Sequence, residues 1–201
     1  MKYFLSAFEI AWAPFYFATM KEADAKRTFA AVTTYGTAVL VLLAAGLAAI
    51  SPDLVRLLTK PAYTAAAGVI PWITIGVVCQ GFYLLTSIGL NITKHTEYYP
   101  VATALAAAIN VAANALLIPW IGIYGPAVAN AVSYAALAAI AYRMSHRFYP
   151  VEHEWGRLAR LVLAGVVSYG IGGWLVPVPA SALASVLVRG CAVVFVYGAC
   201  L

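Results

Sequence analysis

Three residues near the start of the chain, Glu9, Trp12 and Tyr16, are spaced so that a helix would carry them on nearly one face. A carboxylate with two aromatic rings could meet a sugar: the carboxylate accepts from hydroxyls, and the rings cover the apolar side of a pyranose. Glu9 could equally carry a coupling proton, because an ionisable group inside an apolar run usually faces a cavity or a partner. The plainer alternative is an interhelical hydrogen bond, with the rings turned to lipid. Asn110 and Asn114 lie four apart, on one helix face, and Asn130 follows on the next apolar run. They could line a polar cavity or hydrogen-bond between helices. Gln80 and Asn91, in or just below an earlier run, carry the same two readings. Arg189 lies inside the last run. Its planar fork could hold a diphosphate, or its long stem could let the charge reach the membrane surface.

Other chemistries are missing from the sequence. There is no Gly-rich phosphate loop, no nucleophile elbow and no pair of carboxylates at catalytic spacing. His146, Glu152, His153 and Glu154 do not have the spacing of a helical metal site. Cys79, Cys191 and Cys200 sit in apolar runs with no CxxC pattern and read as small buried residues. Neither a metal nor a cofactor is expected. A membrane glycan-processing enzyme would need a catalytic cluster, often on a long outer loop, and the loops assigned outside below hold no His.

The elements that must position these residues follow from composition. Of 201 residues, 64% are apolar and 9% are charged. A soluble domain carries about 25% charged residues to hydrate its surface. Hydrocarbon is therefore the main solvent, and an all-α, polytopic membrane bundle is the expected fold. Seven apolar segments can be drawn, at 3–19, 28–50, 67–90, 101–118, 124–141, 158–176 and 183–201. Ser51-Pro52-Asp53 is a helix-start signal and predicts a short interfacial helix near 53–59. Tight turns are expected at 119–123 and 177–181.

Alternate threading of seven segments orients the chain. Eight basic residues (Lys21, Lys26, Arg27, Lys94, Arg143, Arg147, Arg157 and Arg160) fall on one side, against Lys2, Arg56 and Lys60 on the other. The positive-inside rule makes the first side cytoplasmic, and the C-terminus with it. The net charge of +5 is then a topology signal, and nucleic acid is not an expected partner. Glu9 lies about 15 Å from the cytoplasmic end of its helix, near mid-depth.

The fourth and fifth segments form a hairpin, Asn110-x3-Asn114, Ile118-Pro119, Gly122-Ile123-x-Gly125-x-Ala127-x-Ala129. This pattern resembles polysaccharide-biosynthesis exporters of the O-antigen flippase type, in the multidrug/oligosaccharidyl-lipid/polysaccharide superfamily. Trp12-Ala13-Pro14-Phe15, Tyr63 with Ile70-Pro71, and Asn91-Ile92-Thr93-Lys94 with Pro100 are similar to further family motifs. Pro126 and Asn130 depart from it, standing where the family often has Ala and Thr. The resemblance implies two lobes and alternating access. Residues 1–157 would be the second lobe minus its first helix, and 158–201 two extra spans. The chain is then expected to be a fragment of a longer protein whose first lobe is missing here.

What such a transporter would move also follows from the resemblance. It implies a polyprenyl-diphosphate-linked oligosaccharide as cargo, driven by H+ or Na+ and handled among membrane lipids at the cytoplasmic membrane. A drug/cation antiporter of the same fold is the competing expectation. Its cavity should be acidic and aromatic, where a flippase cavity should be basic.

Overall fold

The computed structural model describes residues 2–175 and 181–200. It is all-helical. α1 is Lys2–Thr19 and α2 is Ala25–Leu58. A 3-10 segment, Pro61–Val69, leads into α3, Ile70–Thr86, and a break at Ser87 separates the short α4, Ile88–Ile92. α5 is Tyr98–Ile121 and α6 is Gly125–Phe148. α7 is Trp155–Gly170, prolonged by a π-turn, and α8 is Ala182–Ala199. The expected turn at 177–181 lies mostly outside the described residues. Its last residue, Ser181, caps α8 by accepting the Ala184 N–H at 3.3 Å.

Among the described residues there are six continuous helical stretches, and three of these are long and apolar enough to cross a membrane: Ala25–Leu58, Ala62–Ile92 and Tyr98–Phe148. The chain thus has the features of a multi-pass membrane protein, but the expectation of about seven spans is not met. The reasons are lengths and breaks. α1 has 18 residues, including Glu9 and Pro14, and measures about 27 Å. The apolar part of α8 is Leu183–Ala199, about 26 Å. Both lie at the short end of what spans a hydrocarbon core of about 30 Å. Segments four and five, drawn separately, belong to one helical stretch.

That stretch folds back on itself. Gly122 has φ +55°, a conformation that side chains with a Cβ rarely adopt, and it ends α5. A single 3-10 turn, Gly122–Tyr124, then starts α6. Pro119 does not begin the turn, as expected, but lies inside the last turn of α5.

The separate interfacial helix near 53–59 is also corrected. It is the end of α2, which runs unbroken for 34 residues, about 51 Å. Pro52 has no N–H to give the Ala48 carbonyl, a loss that normally breaks a helix. The Ser51 hydroxyl donates to that carbonyl instead, at 2.8 Å. The helix therefore continues through the proline.

α2 is the central helix, with α3 on one side and α7 and α8 on the other. α6 lies between α3 and α5, and α1 rests on α2 and α3. The largest core cluster joins Leu5, Trp12 and Tyr16 of α1 to Phe29 and Leu40 of α2 and Leu85 of α3. Against α8 the α2 surface is made of small residues: Ala45 and Ala49 meet Val193. Small side chains let the two backbones approach, which gives van der Waals contact where hydrocarbon offers no hydrophobic drive. Outward faces are apolar, as on α7 (Val162, Leu163, Val166) and α8 (Leu187, Val194, Phe195). Such surface suits lipid rather than water.

Candidate functional site

Four of the residues singled out from the sequence come together. Glu9, Trp12 and Tyr16 of α1 and Asn91 of α4 line one cavity of about 350 Å³. Its far wall is Tyr83 of α3, Ser87 at the α3–α4 break, and Tyr99 of α5. At the Ser87 break the backbone carbonyl accepts from the Leu90 N–H and from the Tyr99 hydroxyl, both at 3.1 Å. Tyr99 also stands edge-on to Tyr83, with ring centroids 6.3 Å apart.

The two α1 rings are turned inward rather than to lipid. Trp12 is 5% exposed and Tyr16 7%. Trp12 is stacked between Phe8 and Phe15, at 5.3 and 5.4 Å, and meets the Phe29 ring edge-on at 6.3 Å. Its indole N–H is buried and has no acceptor among the described residues. Glu9 is exposed, at the rim. The arrangement offers one carboxylate, an amide and phenol hydroxyls, backed by aromatic faces. A small polar ligand with hydroxyls could be hydrogen-bonded and stacked here.

The other candidates lie elsewhere. Asn110 Nδ2 donates to the Ser133 hydroxyl of α6 at 3.0 Å, and Asn114 Nδ2 donates to the carbonyl and Oδ1 of Asn110 at 2.9 and 3.0 Å. Ser133 in turn donates to the Asn130 carbonyl at 2.9 Å. The Asn110 amide is thus engaged in the α5–α6 contact, and the Asn114 amide is held within α5. Gln80 is half-buried on α3 and does not line the Glu9 cavity.

Arg189 has a charged partner within the bundle. It is 7% exposed, and its Nη1 lies 3.2 Å from Asp53 Oδ2 across the α2–α8 contact. The Ser185 hydroxyl donates to the same oxygen at 2.7 Å. Sequence reasoning missed Asp53 because Ser-Pro-Asp reads as a helix start at an exposed boundary. The signal that could have found it is charge: Asp53 and Arg189 both sit close to long apolar runs, where each needs a partner.

At the loops, His95 donates to Glu97 at 2.9 Å and so holds that carboxyl below its ordinary range. Burial pushes the His153 imidazole down. Its ring sits edge-on to Tyr142. Among the described residues no group of three or more His, Cys, Asp or Glu could hold a metal ion. No family model, no curated protein and no solved structure matches the chain.

Proposed function

We propose that this chain is one lobe of a transporter that moves a lipid-linked oligosaccharide or polysaccharide precursor across the cytoplasmic membrane by alternating access, driven by an H+ or Na+ gradient. The observation that carries this reading is the convergence of Glu9, Trp12, Tyr16, Asn91 and Tyr99 on one cavity beside membrane-length helices. A carboxylate and an amide satisfy sugar hydroxyls, and the rings supply flat apolar contact. α1 bears on the bundle less extensively than the other long helices and contains Pro14. Pro14 removes one backbone hydrogen bond and permits bending. A bendable helix carrying one ionisable group suits the moving wall of a transport cavity.

Glu9→Gln tests this. The change keeps size and hydrogen bonding and removes the charge. Surface polysaccharide in cells that depend on the protein is expected to fall about tenfold or more, the loss of one charged hydrogen bond. Membrane levels should stay normal, and Glu9→Asp should be milder. Normal export by Glu9→Gln would sink the assignment. A second reading has its own observation: the Glu9 cavity is acidic and aromatic, which suits an organic cation. Cells that lose drug resistance but keep their polysaccharide on Glu9→Gln would select the antiporter.

The orientation that goes with the proposal places the C-terminus in the cytoplasm. Lys21, Lys60 and Arg147 are exposed. In a background without the native cysteines, Lys21→Cys and Arg147→Cys should resist an impermeant thiol reagent in intact cells, and Lys60→Cys should label. Labelling of the first two from outside would reverse the orientation.

A further inference from the structure

A second and larger cavity, about 1260 Å³, opens between the N-terminal turns of α2 and α7. Four cations line it, Lys26 and Arg27 from α2 and Arg157 and Arg160 from α7, against two carboxylates, Glu152 and Glu154. The pairing is unequal. Glu154 accepts both of its contacts with Arg157, at 2.8 and 2.9 Å, and takes a third from the Thr34 hydroxyl at 3.4 Å. The Lys26 ammonium sits 5.0 Å from the centre of the Tyr149 ring. Arg27 and Arg160 have no carboxylate partner among the described residues. Two helix N-termini open on the same space, and their dipoles add positive potential.

The cleft is long as well as basic. It follows α2 from Arg27 to Ala38, about 16 Å. Beyond the charged mouth its wall is mainly apolar, Ala30, Ala31, Ala38 and Leu161, with Thr34 and Tyr35 among them. Lys26 and Arg27 stand where the apolar run of α2 begins, which is the headgroup level for a helix that spans, and the α7 arginines line the same mouth. We infer that this cleft holds an anionic phospholipid, with the phosphate on Arg27 and Arg160 and an acyl chain along the α2 wall. A free phosphate would use the mouth and leave the apolar wall idle. This site is separate from the Glu9 cavity and does not depend on what that cavity transports.

The test is lipid selectivity at the protein surface. The purified protein is placed in phosphatidylcholine vesicles with a trace of spin-labelled phosphatidylglycerol or spin-labelled phosphatidylcholine. The motionally restricted fraction is read by electron paramagnetic resonance. Wild type should prefer the glycerol lipid, and each arginine should account for about a fivefold factor, the equivalent of ~1 kcal/mol per basic side chain at the surface. Arg27→Gln with Arg160→Gln should abolish most of the preference. Arg27→Lys with Arg160→Lys should keep it, which also reports folding. Arg143→Gln with Arg147→Gln, the same change of charge at residues that do not line the cleft, should keep it too. No preference in wild type would overturn the proposal, as would equal loss in the Arg143/Arg147 variant. Tight binding of inorganic phosphate without lipid preference would put a free anion in the cleft, and that also overturns it.

Discussion

Asp53→Asn is expected to destabilise the protein by about 3–5 kcal/mol, and Arg189→Met by a similar amount, because each leaves the opposite charge buried and alone. Asp53 is 1% exposed and Arg189 7%. In Asp53→Asn the Ser185 hydroxyl keeps an acceptor, but the guanidinium loses its counter-charge. In Arg189→Met the carboxylate keeps one hydrogen bond and loses the cation 3.2 Å away. The double change Asp53→Leu with Arg189→Met removes both charges, and it should cost far less than either single change. Replacing a buried pair with apolar side chains is often neutral. Thermal unfolding in detergent, read as a double-mutant cycle, measures this. Single variants that unfold within about 1 kcal/mol of wild type would mean that the pair is hydrated and contributes as little as a surface bridge. The pair ties the end of the central helix to α8. With that side fixed and α1 less extensively packed, motion in the bundle should concentrate at the Glu9 wall.

The helical, membrane character of the fold was readable because composition reports the solvent, and 9% charge cannot hydrate 201 residues. The number of spans was not readable in the same way. Apolar runs mark where helices can be, but whether a helix crosses depends on its unbroken length. Residues 53–59 show the difficulty in one place. Ser51-Pro52-Asp53 carries a start signal because proline suits a first turn and disfavours an interior. The Ser51 hydroxyl replaces the missing donor, and Asp53 meets a partner on α8. Neither fact can be read from the neighbouring residues.

The candidate site divides the same way. The spacing of Glu9, Trp12 and Tyr16 is local, and one helical face delivered all three to the cavity. Asn91 joined them through the α3–α4 break. Tyr83 and Tyr99 did not stand out, because an aromatic residue in an apolar run looks like core or membrane boundary. Arg27 and Arg160 were read only as topology signals. Their lack of carboxylate partners, and the apolar wall beside them, come from packing α2 against α7.

Gly125→Leu is expected to open the α5–α6 hairpin and lower the yield of folded protein severalfold. A Cβ at position 125 would lie 2.9 Å from both the Cα and the N of Ile118. These are backbone atoms of α5, seven residues earlier in the chain, so no rotamer change can relieve the clash. The helices would have to separate about the Gly122 turn. Gly125→Ala already carries the offending atom and should cost about 1–3 kcal/mol, the usual range for overpacking. Gly46 supplies the control, since a Cβ there meets nothing within 4 Å. Gly46→Ala in the middle of α2 should be neutral or stabilise by up to ~1 kcal/mol through helix propensity. Unfolding midpoints in detergent and membrane levels by immunoblot check both. A Gly125→Leu protein with the wild-type midpoint would show that α5 and α6 do not approach as closely as Ile118 and Gly125 indicate. It would also remove the reason for Asn110 to reach Ser133. The amide of Asn110 would then be free for a cavity, and its assignment to the helix contact would fail with the hairpin.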